Sequence, residues 1–85
     1  MPIDPRQAGQ EIRRVRLAAG LTQIQLAALA GLDQSNLSLL ERGGRVPEIA
    51  TLGRWAEALG CSVLIDPVHG VRLVPADSIE IPEPD

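Results

Sequence analysis

Apolar residues in the first sixty positions recur at helical spacing, and the period changes abruptly after Gly60. Ala8, Ile12, Val15 and Ala19 form the first stripe, opened by Asp4-Pro5 and closed by Gly20. Asp4 suits an N-cap and Pro5 the first helical position, and Gln7 stands where it could complete a capping box. Gly9 inside this stripe is a local weakness, worth about 1 kcal/mol against Ala. A second helix opens at the capping box Thr22-x-x-Gln25, with Leu21 and Leu26 spaced as a hydrophobic staple. Asp33 caps a third, with Leu32 and Leu37 as its staple, and Ala30-Gly31-Leu32 is the turn between them. The third helix carries Leu37 and Leu40 inward and ends at Gly43-Gly44. Pro47 introduces a fourth that runs to Gly60, with Ile49, Leu52, Trp55, Ala56 and Leu59 on one face.

Beyond Gly60 the pattern is that of strands. Ser62-Val63-Leu64-Ile65 and Val71-Arg72-Leu73-Val74 flank Asp66-Pro67-Val68-His69-Gly70 and read as a hairpin. Val63 and Ile65 fall on one face with Leu64 on the other, so apolar side chains appear on both faces, more than one small head can cover. A lone hairpin is marginal in water and a free strand edge invites pairing. Pairing of two copies is therefore expected, with Val63, Leu64, Ile65, Val71 and Leu73 in the interface. The division expected is a helical head over 1–60, a dimerising hairpin over 61–75 and an acidic, flexible tail over 76–85, the last carrying four acids with Pro82 and Pro84.

Composition sharpens this picture. Eighty-five residues suffice for one compact domain whose core is built with one Trp and no Phe or Tyr, although 45% of the chain is apolar. The net charge of −3 is unevenly spread. Residues 1–60 hold seven Arg and six acids, whereas residues 61–85 hold Arg72 and five acids, so the acidity belongs to the C-terminal third. Every basic residue is Arg, which suits phosphate and guanine better than Lys does. A single cysteine, Cys61, excludes an internal disulfide and a multi-Cys zinc site. With no leader and no membrane-length apolar run, the cytoplasm is the expected compartment.

Gln23 to Leu40 carries the functional signal. Two helices crossing steeply about a tight turn need a small residue at their approach (Ala27), a glycine in the turn (Gly31) and apolar anchors on both sides. Leu26, Leu29 and Ala30 supply the first anchors, and Leu32, Leu37 and Leu40 the second. The stretch LTQIQLAALAGLDQSNLSLLERG resembles the Cro/phage-repressor (XRE) helix-turn-helix family, over residues 12–60. Arg16, Gly20-Leu21-Thr22-Gln23, Leu26-Ala27, Gly31, Ser38, Glu41-Arg42-Gly43 and Pro47 fall at that family's spacings. The strand after helix four, in place of a fifth helix, resembles HipB-type antitoxin repressors, in which the strand joins two subunits. The resemblance implies a mainly α fold, a four-helix phage-repressor-like DNA-binding domain followed by a dimerising β-hairpin, and an inverted-repeat operator.

The residues themselves point the same way. With Leu37 and Leu40 inward, Gln34, Ser35, Ser38 and Leu39 face out, and short polar side chains at a helix N-terminus can reach base edges in a major groove. Gln34 suits bidentate recognition of adenine. Leu39 departs from the family, where a polar or basic side chain is common, and suits a thymine methyl. Thr22 and Gln23 at the start of helix two, Asn36, and Arg42 and Arg45 past helix three are the candidate phosphate contacts. Arg16 and Glu41 sit beside inward-facing positions where neither can be buried alone. A salt bridge between them is expected, and the resemblance implies the same pair. Cys61 and Trp55 read as core residues and Arg13 and Arg14 as solvated surface. His69 has no second ligand near it in sequence, and no nucleophile–base set, phosphate loop, metal site or cofactor site emerges.

The expected function is a non-enzymatic, sequence-specific repressor that binds double-stranded DNA as a homodimer. In one form it is an antitoxin that represses its own promoter and binds a kinase-like toxin. In another it is a free-standing XRE-type regulator. A third reading is a protein-binding adaptor, supported only by the acidic total charge.

Overall fold

Side chains set the starts of three of the four helices. In the computed structural model, which describes residues 3–76, Asp4 accepts the Arg6 amide at 2.9 Å ahead of α1 (Pro5–Ala18). Thr22 heads α2 (Gln23–Ala30): its hydroxyl accepts the Gln25 amide at 3.1 Å, and Gln25 Oε1 accepts the Thr22 amide at 2.9 Å. Asp33 accepts the Ser35 amide at 3.1 Å and opens α3 (Gln34–Glu41). No side chain caps α4 (Ile49–Ala58), which follows the buried Pro47. Strands β1 (Cys61–Asp66) and β2 (Gly70–Pro75) then form an antiparallel hairpin, so the molecule is mainly helical with one two-stranded sheet.

The turn between α2 and α3 is made by Gly31 at φ +65°, a left-handed conformation that costs glycine no Cβ clash. Arg54 reaches across from α4 and donates to the Ala30 and Gly31 carbonyls at 3.1 and 3.2 Å, a cation on the otherwise free end of α2. The core is one cluster: Ala8 and Ile12 of α1, Leu26 and Ala27 of α2, Leu37 and Leu40 of α3, Leu52, Trp55 and Ala56 of α4, and Val71 and Leu73 of β2.

Several expectations change here. Gly9 is buried, and a Cβ on it would overlap the Leu40 carbonyl, so α1 and α3 meet at this glycine. It is required by close approach rather than tolerated as a weakness. Ala19, Leu29 and Ile49 stand exposed, the last two at 63% and 65%. Each lies at the end of its helix or the margin of its stripe, beyond the elements that cover the central positions. Gln7 forms no capping box. Its side chain instead accepts the Val71 amide at 2.7 Å and donates to the Val71 carbonyl.

That pairing fixes the hairpin. The register places Val63 opposite Leu73, Leu64 opposite Arg72 and Ile65 opposite Val71. Val71 and Leu73 point into the helical core, fully and 95% buried respectively, so they are not available to a partner as the interface assignment had required. The cause is α1, whose side chains bind the outer edge of β2: Gln7 takes Val71, and Glu11 Oε2 accepts the Leu73 amide at 2.9 Å. Arg14 grips the same carboxylate through Nε at 2.8 Å and Nη2 at 2.9 Å. Its guanidinium, helped by the Leu73 amide and opposed by partial burial, holds the Glu11 carboxyl below the usual range. Arg14 is solvated surface as expected, its side chain 63% exposed, and from there it holds Glu11. The acidic tail lies outside the described residues, apart from Ala76, whose amide bonds the Gly60 carbonyl at 3.0 Å.

Candidate nucleic-acid interface

A chain of hydrogen bonds runs from the buried interior to the outer face of α3. Arg16, 7% exposed, meets Glu41 in a two-pronged ion pair, with Nε–Oε2 at 2.7 Å and Nη2–Oε1 at 2.8 Å. Its third nitrogen, Nη1, donates to the Leu21 carbonyl at 2.8 Å, and the bond to Glu41 raises the guanidinium's already high pKa. The pair therefore ties α1 to α3 and to the loop before α2, with the ionised groups fully bonded despite their burial.

Glu41 does a second job. Its Oε1 also accepts a bond from Gln23 Nε2 at 3.1 Å, and Gln23 Oε1 accepts one from Gln34 Nε2 at 2.9 Å. Gln34 is the first residue of α3 and is exposed. Gln23 and Gln34 lie eleven residues apart, on either side of the turn, at the N-termini of the two crossing helices. Sequence reading named both and missed the link. The signal was present, because two glutamines at the first positions of helices joined by a tight turn are brought together by it.

Gln34 uses one amide hydrogen in this chain. Among the bonds of the described residues, its Oε1 and second N–H are unengaged. One acceptor beside one donor is the pattern that matches N6 and N7 of adenine. Ser35 and Asn36 are exposed beside it, and Ser38 and Leu39 are half-buried. Leu39 leans over Gly44, where an added Cβ would come within 2.6 Å of its Cδ1, so only part of this side chain faces outward.

The residues assigned to phosphate divide into two groups. Thr22 Oγ1 accepts the Gln25 amide and keeps its own O–H as a donor, and Gln23 bonds Glu41 and Gln34 and keeps its second amide N–H, beside the backbone N–H groups at the start of α2. At the far end, Arg45 Nη1 donates to Asn36 Oδ1 at 3.2 Å, and Arg42 Nε bonds the Ser38 carbonyl at 3.3 Å, with both arginines exposed. Asn36 and Arg45 act as a pair, which sequence had left separate. Helix N-terminal amides on one flank and two guanidiniums on the other frame the polar face of α3.

This geometry is that of two helices crossing at a glycine turn, with the second presenting its N-terminal face. A family described as helix-turn-helix, HTH_3, matches residues 12–65, from α1 through most of β1. The chain belongs to this HTH_3 (XRE-type) family. Like its relatives, the HTH_3 chain carries the helix-turn-helix DNA-binding domain of transcription regulators. It is 46% identical over 54 residues to the HTH-type transcriptional regulator y4dJ of Sinorhizobium fredii, covering 64% of this chain and 70% of that protein. It is 44% identical over 55 residues to the immunity repressor of Bacillus phage phi105, covering 65% of this chain but only 38% of the phage protein. The fold resembles the restriction-modification controller protein C.AhdI from Aeromonas hydrophila, with a TM-score of 0.63 and 41% identity over 66% of this chain and 85% of that one.

Other chemistry is sparse. Among the described residues no group of three His, Cys, Asp or Glu could hold a metal ion, and no helix is long and apolar enough to cross a membrane. His69 Nδ1 lies 3.3 Å from Asp66 Oδ2 in the hairpin turn, where Asp66 Oδ1 also accepts the Val68 and His69 amides at 2.7 and 3.1 Å. Those amides, Val68 first, hold the Asp66 carboxyl below its ordinary pKa. Cys61 is half-buried, with its thiol 3.5 Å from the Leu59 carbonyl.

Proposed function

We propose that this HTH_3 chain is a sequence-specific transcriptional repressor that binds an inverted-repeat operator as a homodimer. The observation that carries the reading is Gln34: an exposed side chain at the start of α3, held by Gln23 and presenting an acceptor and a donor outward. Paired copies would place two such helices about 34 Å apart, one turn of DNA, and occlude a promoter. Val63, Leu64 and Ile65 of the hairpin join the copies, and no cofactor is needed. The residues for base edges are Gln34, Ser35, Ser38 and the outward part of Leu39. Those for phosphate are Thr22, Gln23 and the first amides of α2, with Asn36, Arg42 and Arg45.

The hairpin after α4 favours a narrower form of the reading, an autorepressing antitoxin whose second partner is a kinase-like toxin. Co-expression with such a toxin distinguishes the two forms: the narrower one requires a stable complex and relief of toxicity, and a free-standing repressor gives neither.

The test of DNA binding is a titration of duplex across a salt series. Affinity for cognate and random duplex is expected to fall linearly on a log–log plot, and Arg45→Ala to reduce the slope by about one while weakening all sequences alike. Salt-insensitive or absent binding would contradict the proposal.

A further inference from the structure

Between the end of α3 and the start of α4 lies a half-open cleft of about 240 Å³. That is smaller than the roughly 300–1,000 Å³ filled by drug-sized ligands, so its scale is that of a small metabolite. Its apolar side is Trp55, 1% exposed, and Val46, left 61% exposed. Its polar side is Asn36 of α3, Arg45 of the loop, Glu48 at the N-cap of α4 and Thr51 in the first turn of that helix. Arg45 and Glu48 bring opposite charges to one cleft, yet neither forms an ion pair with the other or with any described residue. Arg45 Nη1 bonds Asn36 Oδ1 at 3.2 Å, which leaves the rest of the guanidinium and Asn36 Nδ2 as donors. Glu48 does not cap α4, and among the described residues neither its carboxylate nor the Thr51 hydroxyl has a hydrogen-bond partner.

We infer that this cleft binds a small zwitterion, a free α-amino acid with an apolar side chain, and that filling it weakens DNA binding. Each part of such a ligand has a counterpart in the lining. Its carboxylate matches the free guanidinium N–H groups of Arg45 and the Asn36 Nδ2 donor. Its ammonium matches the Glu48 carboxylate and the Thr51 hydroxyl oxygen. Its side chain covers Val46 and Trp55. The lining also rejects simpler molecules, because a bare anion meets Glu48 and a bare cation meets Arg45. The regulatory step rests on the phosphate role proposed above for Asn36 and Arg45. A carboxylate held by that pair neutralises the charge that would otherwise meet a phosphate. A filled cleft therefore acts as Arg45→Ala does, weakening all sequences alike and reducing the salt slope by about one.

Trp55 is the one tryptophan of the chain, which has no tyrosine, so its intrinsic fluorescence reads the wall of this cleft. Titration of the full chain with L-leucine or L-phenylalanine is expected to give a saturable change in emission. The analogues 4-methylpentanoate and 3-methylbutylamine, each with one of leucine's two charges, should bind at least about tenfold more weakly. Glu48→Gln, at an exposed residue outside the proposed DNA contacts, should lower leucine affinity by a similar factor without weakening duplex binding. The backbone amide resonances of Val46 and Thr51 read the same titrations where emission does not change. Equal binding of the single-charge analogues, or no saturable response in either readout, overturns the site and leaves the repressor reading standing. Saturable binding with unchanged duplex affinity and salt slope overturns the regulation. If the chain binds leucine but no duplex, the site stands, and the repressor reading falls together with the regulation that rests on it.

Discussion

On the scale of helix propensity, replacing Gly9 by Ala should add about 1 kcal/mol of stability. The Leu40 carbonyl reverses the sign, because it occupies the place a Cβ would take. Gly9→Ala is expected to lower stability by about 1–3 kcal/mol through overpacking, seen as a fall in the thermal midpoint; a rise would contradict the close approach of α1 and α3. Nothing in the apolar pattern of α1 reveals this, since periodicity tells which face is buried and not which turn another backbone crosses. Arg16 and Glu41 are the opposite case. Charges beside inward-facing positions must find each other, and here sequence alone named the partners. Glu41→Ala leaves the Arg16 guanidinium buried without its counter-charge, and the expected cost is about 3–5 kcal/mol, a large part of what an 85-residue domain has. The same change frees Gln23, so operator affinity should fall even under conditions where the variant remains folded.

Helix starts were legible because capping is local: Asp4, Thr22 and Asp33 each bond an amide two or three residues on. Gln7 was misread for the same reason. It has the spacing of a local cap partner, yet it bonds Val71, 64 positions away, and only the folded chain brings the two together. The hairpin itself could be read from alternation, but with apolar residues on both faces the pattern could not say which face the helices cover. The structure assigns Val71 and Leu73 inward. Leu73→Asp is therefore expected to abolish folding, while Leu64→Asp keeps the helical circular dichroism signal. Glu11 supplies a further test. Glu11→Ala removes the acceptor of the Leu73 amide, at a cost of about 1–3 kcal/mol, and should speed exchange of that amide while the amides of α3 change little. The depressed Glu11 pKa gives the direction with pH. Its stabilising effect is fully present above the ordinary carboxylate pKa of about 4.3 and is lost as pH falls through the lower folded value, so the hairpin should loosen from α1 on the acid side of that value.

Along the sequence, the net acidity falls in residues 61–85 and the arginines that frame α3 fall in residues 1–60. The total charge of −3 on its own would argue against a nucleic-acid partner, and that total mostly reflects residues 61–85. Four helices fix one polar helix face, and the Arg16–Glu41–Gln23–Gln34 chain sets the direction of the side chain at its start. The four-helix head was readable because its turn glycine, small residues and caps agree on a single arrangement. The chain of bonds was not, because it joins three helices through side chains whose types permit many partners. The most direct measurement is selection of duplexes from a randomised pool by the wild-type chain and by Gln34→Ala. The wild type is expected to enrich an inverted repeat. Gln34→Ala should lose preference at one base pair in each half-site, with a cost of about 1–3 kcal/mol on the wild-type sequence and the other positions still selected. If both proteins enrich the same sequence with the same preference at every position, α3 does not read bases through Gln34.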